Sequence, residues 1–384
     1  MEAKNPNSNP TFWERLPAYD DVRKIDISPG SIFVKISIGV VIIVLIVLFA
    51  WIGNQAALYD KACSNLDNIY GKTVGPNVTY FSAENSIKDE AKTEFDTTSS
   101  KLINFHVKSA YNCCCGDGYK NNFVNLCALK KVITNGCRFL DFEIYSYNND
   151  PIIASSTVEN NYIKETYNAL LLKDVLSTIT KDAFDGTITN CARDPLILNF
   201  RVKSTNLTML EKMGDLLEEY LDGGINSDFK LLPKNTPSNQ VIQTKMKDLY
   251  KTIIIICTFF PTYNITLDPK LTTLKDLINL DGNGDYCRTY RYNEIAVKNI
   301  NDSPFIDETS SKYIIVLPNL LDNSITNFDS TNSMTFGCQA ICMKHQTNDA
   351  NLQFYNQRFD EQTNNRKYSW RFKSDLNTTT STTT

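Results

Sequence analysis

The chain has 384 residues, of which 42% are hydrophobic, so it can bury a large core and still carry additional segments. Its 39 basic and 43 acidic residues give a formal net charge of −4. This balance provides no large basic surface for a phosphate backbone, so we predict no nucleic-acid partner. The eleven cysteines contain no pair of Cys-x-x-Cys units, which favours disulfide bonds over a zinc site.

The first predicted element is an apolar run at residues 32–52, which is long enough to cross a bilayer as a helix. Lys35 and Trp51 lie near its two ends, where both side chains can reach the headgroups. Positive charges precede the run, so we predict a single-pass type II membrane protein with residues 1–31 in the cytosol. The alternative is a cleaved signal peptide, although the polar region before the run is long for one.

Beyond this span the composition predicts a linker at residues 53–95, a folded domain at 96–376 and a disordered Thr-rich tail at 377–384. Residues 1–31 are polar and are expected to be flexible. Four glycosylation sequons, each weak alone, fit an extracellular or lumenal domain. They begin at Asn77, Asn206, Asn264 and Asn377.

Strand-like and helical segments alternate through the folded domain. The strand-like runs are residues 102–107, 138–145, 151–154, 195–202, 251–258, 312–317 and 338–343. Helical periodicity appears at residues 123–135, 171–184, 207–221 and 348–362. Such alternation predicts an α/β fold with parallel strands and crossover helices, and about 290 residues of it fit a (β/α)8 TIM-type barrel.

Residues 128–157 carry the strongest functional signal. A helical pattern ends at Gly136, the next strand carries Asp141 and Glu143, and a second strand is followed by Ser155. Residues two apart on a strand share one face. The sequence therefore predicts two neighbouring carboxylates at the C-terminal mouth of the barrel, where the active sites of such barrels lie.

This stretch resembles the core of the phosphatidylinositol-specific phospholipase C family, whose barrel is formed by an X and a Y region. The similar segments are residues 136–143, 172–176, 194–200 and 337–373. Residues 110–112 and 154–157 also resemble the membrane-anchored phospholipase C-like proteins of large DNA viruses. The resemblance implies a barrel of the phospholipase C-like phosphodiesterase kind, displayed outside the cytosol or on a virion surface.

In that family two histidines act on the reacting phosphate and on the leaving group, and calcium activates the attacking hydroxyl. The resemblance implies that Asp141 and Glu143 correspond to calcium ligands. It places Lys108 and Ser155 where the catalytic histidines stand, and Arg201 where the last calcium carboxylate stands. The family's histidine-based catalysis is therefore not expected in this chain, since serine is not an acid at neutral pH.

The chain has two histidines, His106 and His345. A shifted alignment would make His106 catalytic, whereas His345 is expected to be structural. Lys108 and Arg201 either bind a phosphate group or neutralise the two carboxylates. Calcium prefers six to eight oxygen ligands, so we expect no resident cofactor, and calcium only if the barrel is active.

Two functions remain open. The first is a catalytically degenerate barrel at a membrane, which binds a phosphoinositide headgroup or a protein partner. The second is a working phosphodiesterase that cleaves phosphatidylinositol-type lipids with altered chemistry. The replaced histidines favour the first function, and the retained acidic pair favours the second. The fold alone does not decide between them.

Overall fold

The structure, a computed structural model, describes residues 32–71, 101–159, 162–222, 228–260, 268–299, 301–321, 323–361 and 366–373. The segment 1–31, the tail 377–384 and the sequons at Asn77, Asn264 and Asn377 lie outside the described residues. The chain divides into two compact units, residues 1–58 and 59–384.

The described part of the first unit is the beginning of a helix, α1 (Ile32–Tyr70). Its apolar side chains are exposed, among them Val41, Ile43 and Phe49. An exposed apolar run of this length requires an apolar environment or a partner. By length and composition the helix can cross a bilayer, although an N-terminal signal sequence meets the same criteria.

The second unit is built on a sheet whose strands are numbered here in chain order. They are β1 (Phe105–Ala110), β2 (Phe139–Tyr147), β3 (Asp150–Ala154), β4 (Leu170–Leu171), β5 (Leu196–Val202), β6 (Lys230–Leu231), β7 (Thr252–Phe259), β8 (Leu280–Asp281), β9 (Cys287–Arg291), β10 (Tyr313–Leu317), β11 (Ala340–Met343), β12 (Asp360–Glu361), β13 (Arg366–Lys367) and β14 (Trp370–Phe372).

Helices connect most of these strands. They are α2 (Leu126–Thr134), α3 (Leu172–Asp182), α4 (Leu207–Leu221), α5 (Ser238–Gln243), α6 (Thr272–Leu277), α7 (Tyr292–Ala296), α8 (Ser303–Ser311), α9 (Thr331–Thr335) and α10 (Ala350–Gln357). Short 3-10 turns occur at Leu102–Asn104, Met246–Leu249 and Pro269–Leu271.

Eight parallel strands follow one another in the order β8-β7-β5-β2-β1-β11-β10-β9. The sheet curls, and in the described part of the chain no ladder joins β8 to β9, so the barrel is open on that side. Parallel strands point their C-terminal ends to one side, which is the mouth of the barrel. The α/β barrel fold predicted from the sequence is confirmed in this open form.

The two faces of the sheet have different neighbours. Ile314, Val316 and Ile341 form a cluster with residues of the outer helices, so their face is the outer one. Lys108 pairs with Ile341 in the parallel register and therefore also lies on the outer face. Ser109, one residue later, lies on the inner face.

The C-terminal part of α1 packs against the barrel within the second unit. Ala62 and Leu66 are buried there, and Cys63 forms a disulfide with Cys127 of α2. The Tyr70 hydroxyl donates to the carbonyl of His345 over 2.7 Å. Part of the predicted linker at residues 53–95 is therefore a packed helix, and one of the expected disulfides is present.

Candidate functional site

The two carboxylates predicted at the barrel mouth lie side by side on β2. Asp141 and Glu143 pair with Asn199 and Arg201 of β5 in the parallel register, and all four side chains are fully buried. Arg201 donates from Nε to Asp141 Oδ1 over 2.9 Å and from Nη2 to Asp141 Oδ2 over 2.7 Å. Its Nη1 donates to Glu143 Oε1 over 2.8 Å, so one guanidinium holds both carboxylates.

Neutral groups complete the surroundings of Asp141. The Asn112 backbone N–H donates to Oδ2 over 3.0 Å, and Asn199 Nδ2 donates to Oδ1 over 2.8 Å. The side-chain oxygen of Asn112 accepts from Arg201 Nη2 over 2.9 Å. Both oxygens of Asp141 therefore accept two hydrogen bonds each from the protein itself.

Glu143 is equally engaged. Its Oε2 accepts from the Tyr145 hydroxyl over 2.6 Å and from the Ser156 N–H over 3.0 Å, and Lys203 Nζ lies 3.2 Å away. Burial favours protonation of Glu143, but Lys203 and Arg201 outweigh it and lower its pKa to about 2. The carboxylate is thus charged at neutral pH.

The charge of Arg201 is secured in the same way. Burial opposes it, but Asp141, Tyr111 and Glu143 raise the pKa of the guanidinium well above its usual value. The guanidinium also stacks over the Tyr111 ring, with 4.8 Å between its central carbon and the ring centroid. Such a desolvated cation–π contact is more strongly attractive than a solvent-exposed one.

These residues do not fit a calcium ion in this arrangement. A calcium site needs six to eight oxygens with free lone pairs around a cavity. Here the guanidinium of Arg201 stands among the oxygens of Asp141, Glu143 and Asn112, where it acts as an internal cation. No group of three or more His, Cys, Asp or Glu residues suited to a metal occurs among the described residues.

The structure does not bring Lys108 to this cluster. Its side chain is on the outer face of β1 and is buried near Cys137, Asp360 and Cys191. Burial lowers the pKa of its amine. Lys108 and Arg201 thus lie on opposite faces of the sheet, so in this arrangement they do not face a common phosphate group.

The two histidines are also away from the carboxylates. His106 shares the outer face with Lys108, and its Nδ1–H donates to the Cys338 carbonyl over 2.7 Å. His345 follows β11, with Nε2 3.4 Å from Cys137 Sγ. Burial lowers the pKa of both imidazoles to about 3.

Ser155 directly follows Ala154 of β3, which pairs with Glu143 of β2. Its hydroxyl is fully buried and donates to the Tyr119 carbonyl over 2.7 Å. The next residue, Ser156, supplies the backbone N–H that reaches Glu143. The roles foreseen for Ser155, Lys108 and His106 stay predictions.

Sequence reasoning missed three buried cations at the C-terminal ends of other strands. Lys203 follows β5, Arg291 ends β9 and Lys344 follows β11. Lys203 could have been found, because it lies two residues after Arg201 on the same face. Arg291 carried no such signal, since β9 was not predicted.

Comparison with known proteins gives structural likenesses only, because no family model and no curated protein matches the sequence. PLC21 of L. pealei aligns with a TM-score of 0.49 and 16% identity, over 66% of this chain and 35% of PLC21. PLC21 of S. officinalis aligns with a TM-score of 0.48 and 15% identity. This chain therefore spans about a third of the PLC21 chains that it matches.

A bacterial protein aligns over nearly its whole length. It is the calcium-dependent phosphoinositol-specific phospholipase C of a Pseudomonas species, which matches with a TM-score of 0.43 and 9% identity. The alignment covers 72% of this chain and 98% of that protein. These identities are too low to transfer an activity, and the fold described above rests on the strand order of this chain.

Proposed function

We propose that this chain is a membrane-anchored phospholipase C-like barrel that binds a ligand without cleaving it. The carrying observation is the position of Arg201, whose guanidinium fills the space between Asp141 and Glu143. A catalytic metal would have to displace a buried cation that makes charge-assisted hydrogen bonds to both acids, which is costly.

Proton transfer gives a second reason. General acid or base catalysis by a positioned side chain contributes about 10²–10⁴-fold to such a reaction. Near the acidic pair, Ser155 is a poor acid, and Tyr145 has a pKa raised by burial and by Glu143. Both imidazoles are buried away from the carboxylates with a lowered pKa, so neither histidine is placed to act as the acid or base there.

The membrane location is part of the proposal. Residues 32–52 would form a single span with the barrel on the non-cytosolic side, as the charge distribution predicts. The Cys63–Cys127 disulfide supports an oxidising compartment for the barrel. The resemblance to membrane-anchored viral proteins is consistent with this topology. In sealed vesicles, digestion of the barrel by protease added to the cytosolic side would reject it.

The activity test should use the full chain, because residues 59–70 pack on the barrel. Protein reconstituted in phosphatidylinositol vesicles is expected to release no inositol phosphate, with or without calcium. Asp141→Asn serves as the matched variant. Calcium-dependent release that disappears in Asp141→Asn would instead establish the alternative function, a working phosphodiesterase with altered chemistry.

A further inference from the structure

Three basic side chains lie around His106 at the base of the barrel, on the side opposite to the mouth. His106 is the second residue of β1, and it pairs with Arg371 of β14 in the antiparallel register. Paired residues of neighbouring strands share one face of a sheet. Lys373, just after β14, and Arg358, just after α10, both lower the pKa of His106. Charges from three segments therefore converge on one buried imidazole.

The two arginines have no anionic partner in the part of the chain that the structure describes. The Arg358 guanidinium lies over the Phe354 ring, with 4.8 Å between its central carbon and the ring centroid. The Arg371 guanidinium lies over the Tyr368 ring in the same way, at 5.5 Å. The Nε atom of each arginine is buried without a hydrogen-bond partner. An aromatic face attracts a cation but does not neutralise it, so the N–H donors remain available.

Lys373 is the third uncompensated cation. Its Nζ donates to the Thr309 carbonyl over 3.1 Å, which is a neutral acceptor. Burial lowers the pKa of its amine to about 7, and Cys338 offsets only part of this effect. The amine is therefore about half protonated at neutral pH, and an anion beside it would favour the charged form.

The acidic side chains described near this cluster are engaged elsewhere. Glu308 of α8 accepts from the Tyr290 hydroxyl over 2.7 Å and lies 3.7 Å from Lys312 Nζ. Asp360 stands opposite Lys367 in the β12–β13 register. Donors that are buried without an acceptor cost free energy, and they are rare in folded proteins. A cluster of them is therefore typical of a site whose anion comes from outside the chain.

From these contacts we propose that Arg358, Arg371 and Lys373 bind a small oxyanion with two negative charges, such as sulfate or hydrogen phosphate. The forked donors of the arginines match the oxygens of such an anion, and the lysine adds a point charge. The site lies at the N-terminal ends of the strands and is independent of the function proposed for the mouth. The anion is either free in solution or the ester group of a small molecule, which share this chemistry.

Sulfate is the first probe, titrated by calorimetry into the full chain in neutral phosphatidylcholine nanodiscs at constant ionic strength. The wild type should show saturable binding, and Lys373→Gln and Arg371→Gln should each weaken it about tenfold. Lys173→Gln is the matched control, since Lys173 is an exposed residue of α3. It should bind like the wild type. Absence of saturable binding, or an equal loss in Lys173→Gln, would overturn the proposal.

The pH dependence tests the site without any substitution, so it remains decisive even if a variant fails to fold. Sulfate keeps its charge between pH 6 and 8, and both arginines stay protonated. The titratable groups that face Lys373 are His106, with a pKa of about 3, and Cys338, with a pKa of about 12. Lys373 alone of these three titrates in this range. Sulfate should therefore bind about tenfold more weakly at pH 8 than at pH 6.

In Lys373→Gln this pH dependence should disappear, whereas Lys173→Gln should keep it. A wild-type affinity that does not change between pH 6 and 8 would contradict the role of Lys373 and overturn the site. A second titration, with glucose 6-phosphate, identifies the source of the anion. An affinity similar to that of sulfate supports the site and assigns it to an ester group, and a much weaker one assigns it to the free anion. Release of inositol phosphate at the mouth is measured separately and does not affect this result.

Discussion

Arg201 contacts both carboxylate oxygens of Asp141 from two of its nitrogens, in a bidentate geometry within a fully buried site. The parallel register of β2 and β5 creates this contact, since it places Asn199 beside Asp141 and Arg201 beside Glu143. A buried pair of this kind stabilises little relative to apolar residues, but loss of one partner leaves an uncompensated charge. The first prediction follows from that asymmetry.

Arg201→Gln should lower the free energy of unfolding by about 3–5 kcal/mol, because it leaves Asp141 charged, buried and without a cation. Urea denaturation of the full chain in detergent measures the change. Adding Asp141→Asn should recover at least half of the loss, since Glu143 keeps its contact with Lys203. A double variant as unstable as Arg201→Gln alone would contradict this account.

The histidines predict a loss of stability in mild acid. Burial lowers the pKa of His106 and His345 to about 3, whereas an unfolded histidine titrates near 6.5. The stability that the two neutral histidines contribute is therefore complete above pH 6.5. It is lost as the pH falls from 6.5 towards 3, because the unfolded chain binds protons before the folded chain does. The slope should approach ~1.4 kcal/mol per pH unit for each histidine.

Denaturation midpoints at pH 6.5, 5.5 and 5.0 check this slope, in a range where carboxylates of ordinary pKa stay charged. A double variant with glutamine at both positions should show a flatter profile, even if its stability at pH 7 is lower. An unchanged slope in that variant would assign the acid sensitivity to other groups.

The disulfide predicts a redox-dependent stability. Cys63 and Cys127 are 64 residues apart, and closing a loop of that size stabilises a fold by roughly 2–4 kcal/mol. Cys63→Ser/Cys127→Ser should therefore unfold at lower urea concentration than the oxidised wild type. Dithiothreitol should shift the wild type by a similar amount and leave the variant unchanged. If dithiothreitol does not change the urea denaturation midpoint of the wild type, the disulfide does not stabilise the fold.

Close packing of α4 on α6 predicts the outcome of a glycine substitution. A Cβ added at Gly214 would lie 2.9 Å from the backbone nitrogen of Leu274. Gly214→Ala gains about 1 kcal/mol in helix propensity, but the cost of moving that backbone should exceed this gain. The free energy of unfolding should therefore fall by about 1 kcal/mol. Gly186→Ala is the control, since a Cβ there meets no atom within 4 Å. Equal effects of the two substitutions would refute the packing argument.

Much of the barrel could be predicted because several of its strands are buried runs rich in apolar residues. Residues 252–257 are an example, and the strand there is β7. The strand β9 escaped prediction because it is short and rich in charge, with the sequence Cys-Arg-Thr-Tyr-Arg. Its place in the sheet depends on its five parallel pairings with β10, which local sequence pattern does not reveal.

The strand β1 shows which features local sequence pattern does not give. The sequence pattern began this strand at Leu102, but residues 102–104 form a 3-10 turn and the strand begins at Phe105. The acidic pair could be placed from alternation along β2 alone. The face of Lys108 could not, because it depends on the register of β1 against two neighbouring strands. Local periodicity gives alternation, whereas register is a property of the assembled sheet.

The bond between Cys63 and Cys127 also changes what a protease can release. A cut anywhere in residues 72–100 breaks the main chain between α1 and the barrel, but the disulfide still links the two fragments. Residues 32–63 and the barrel would then separate only after reduction of that bond by a thiol. After a cut in residues 72–100, shedding of the barrel thus requires a second chemical event, and the nicked form would run as one species on a non-reducing gel and as two on a reducing gel.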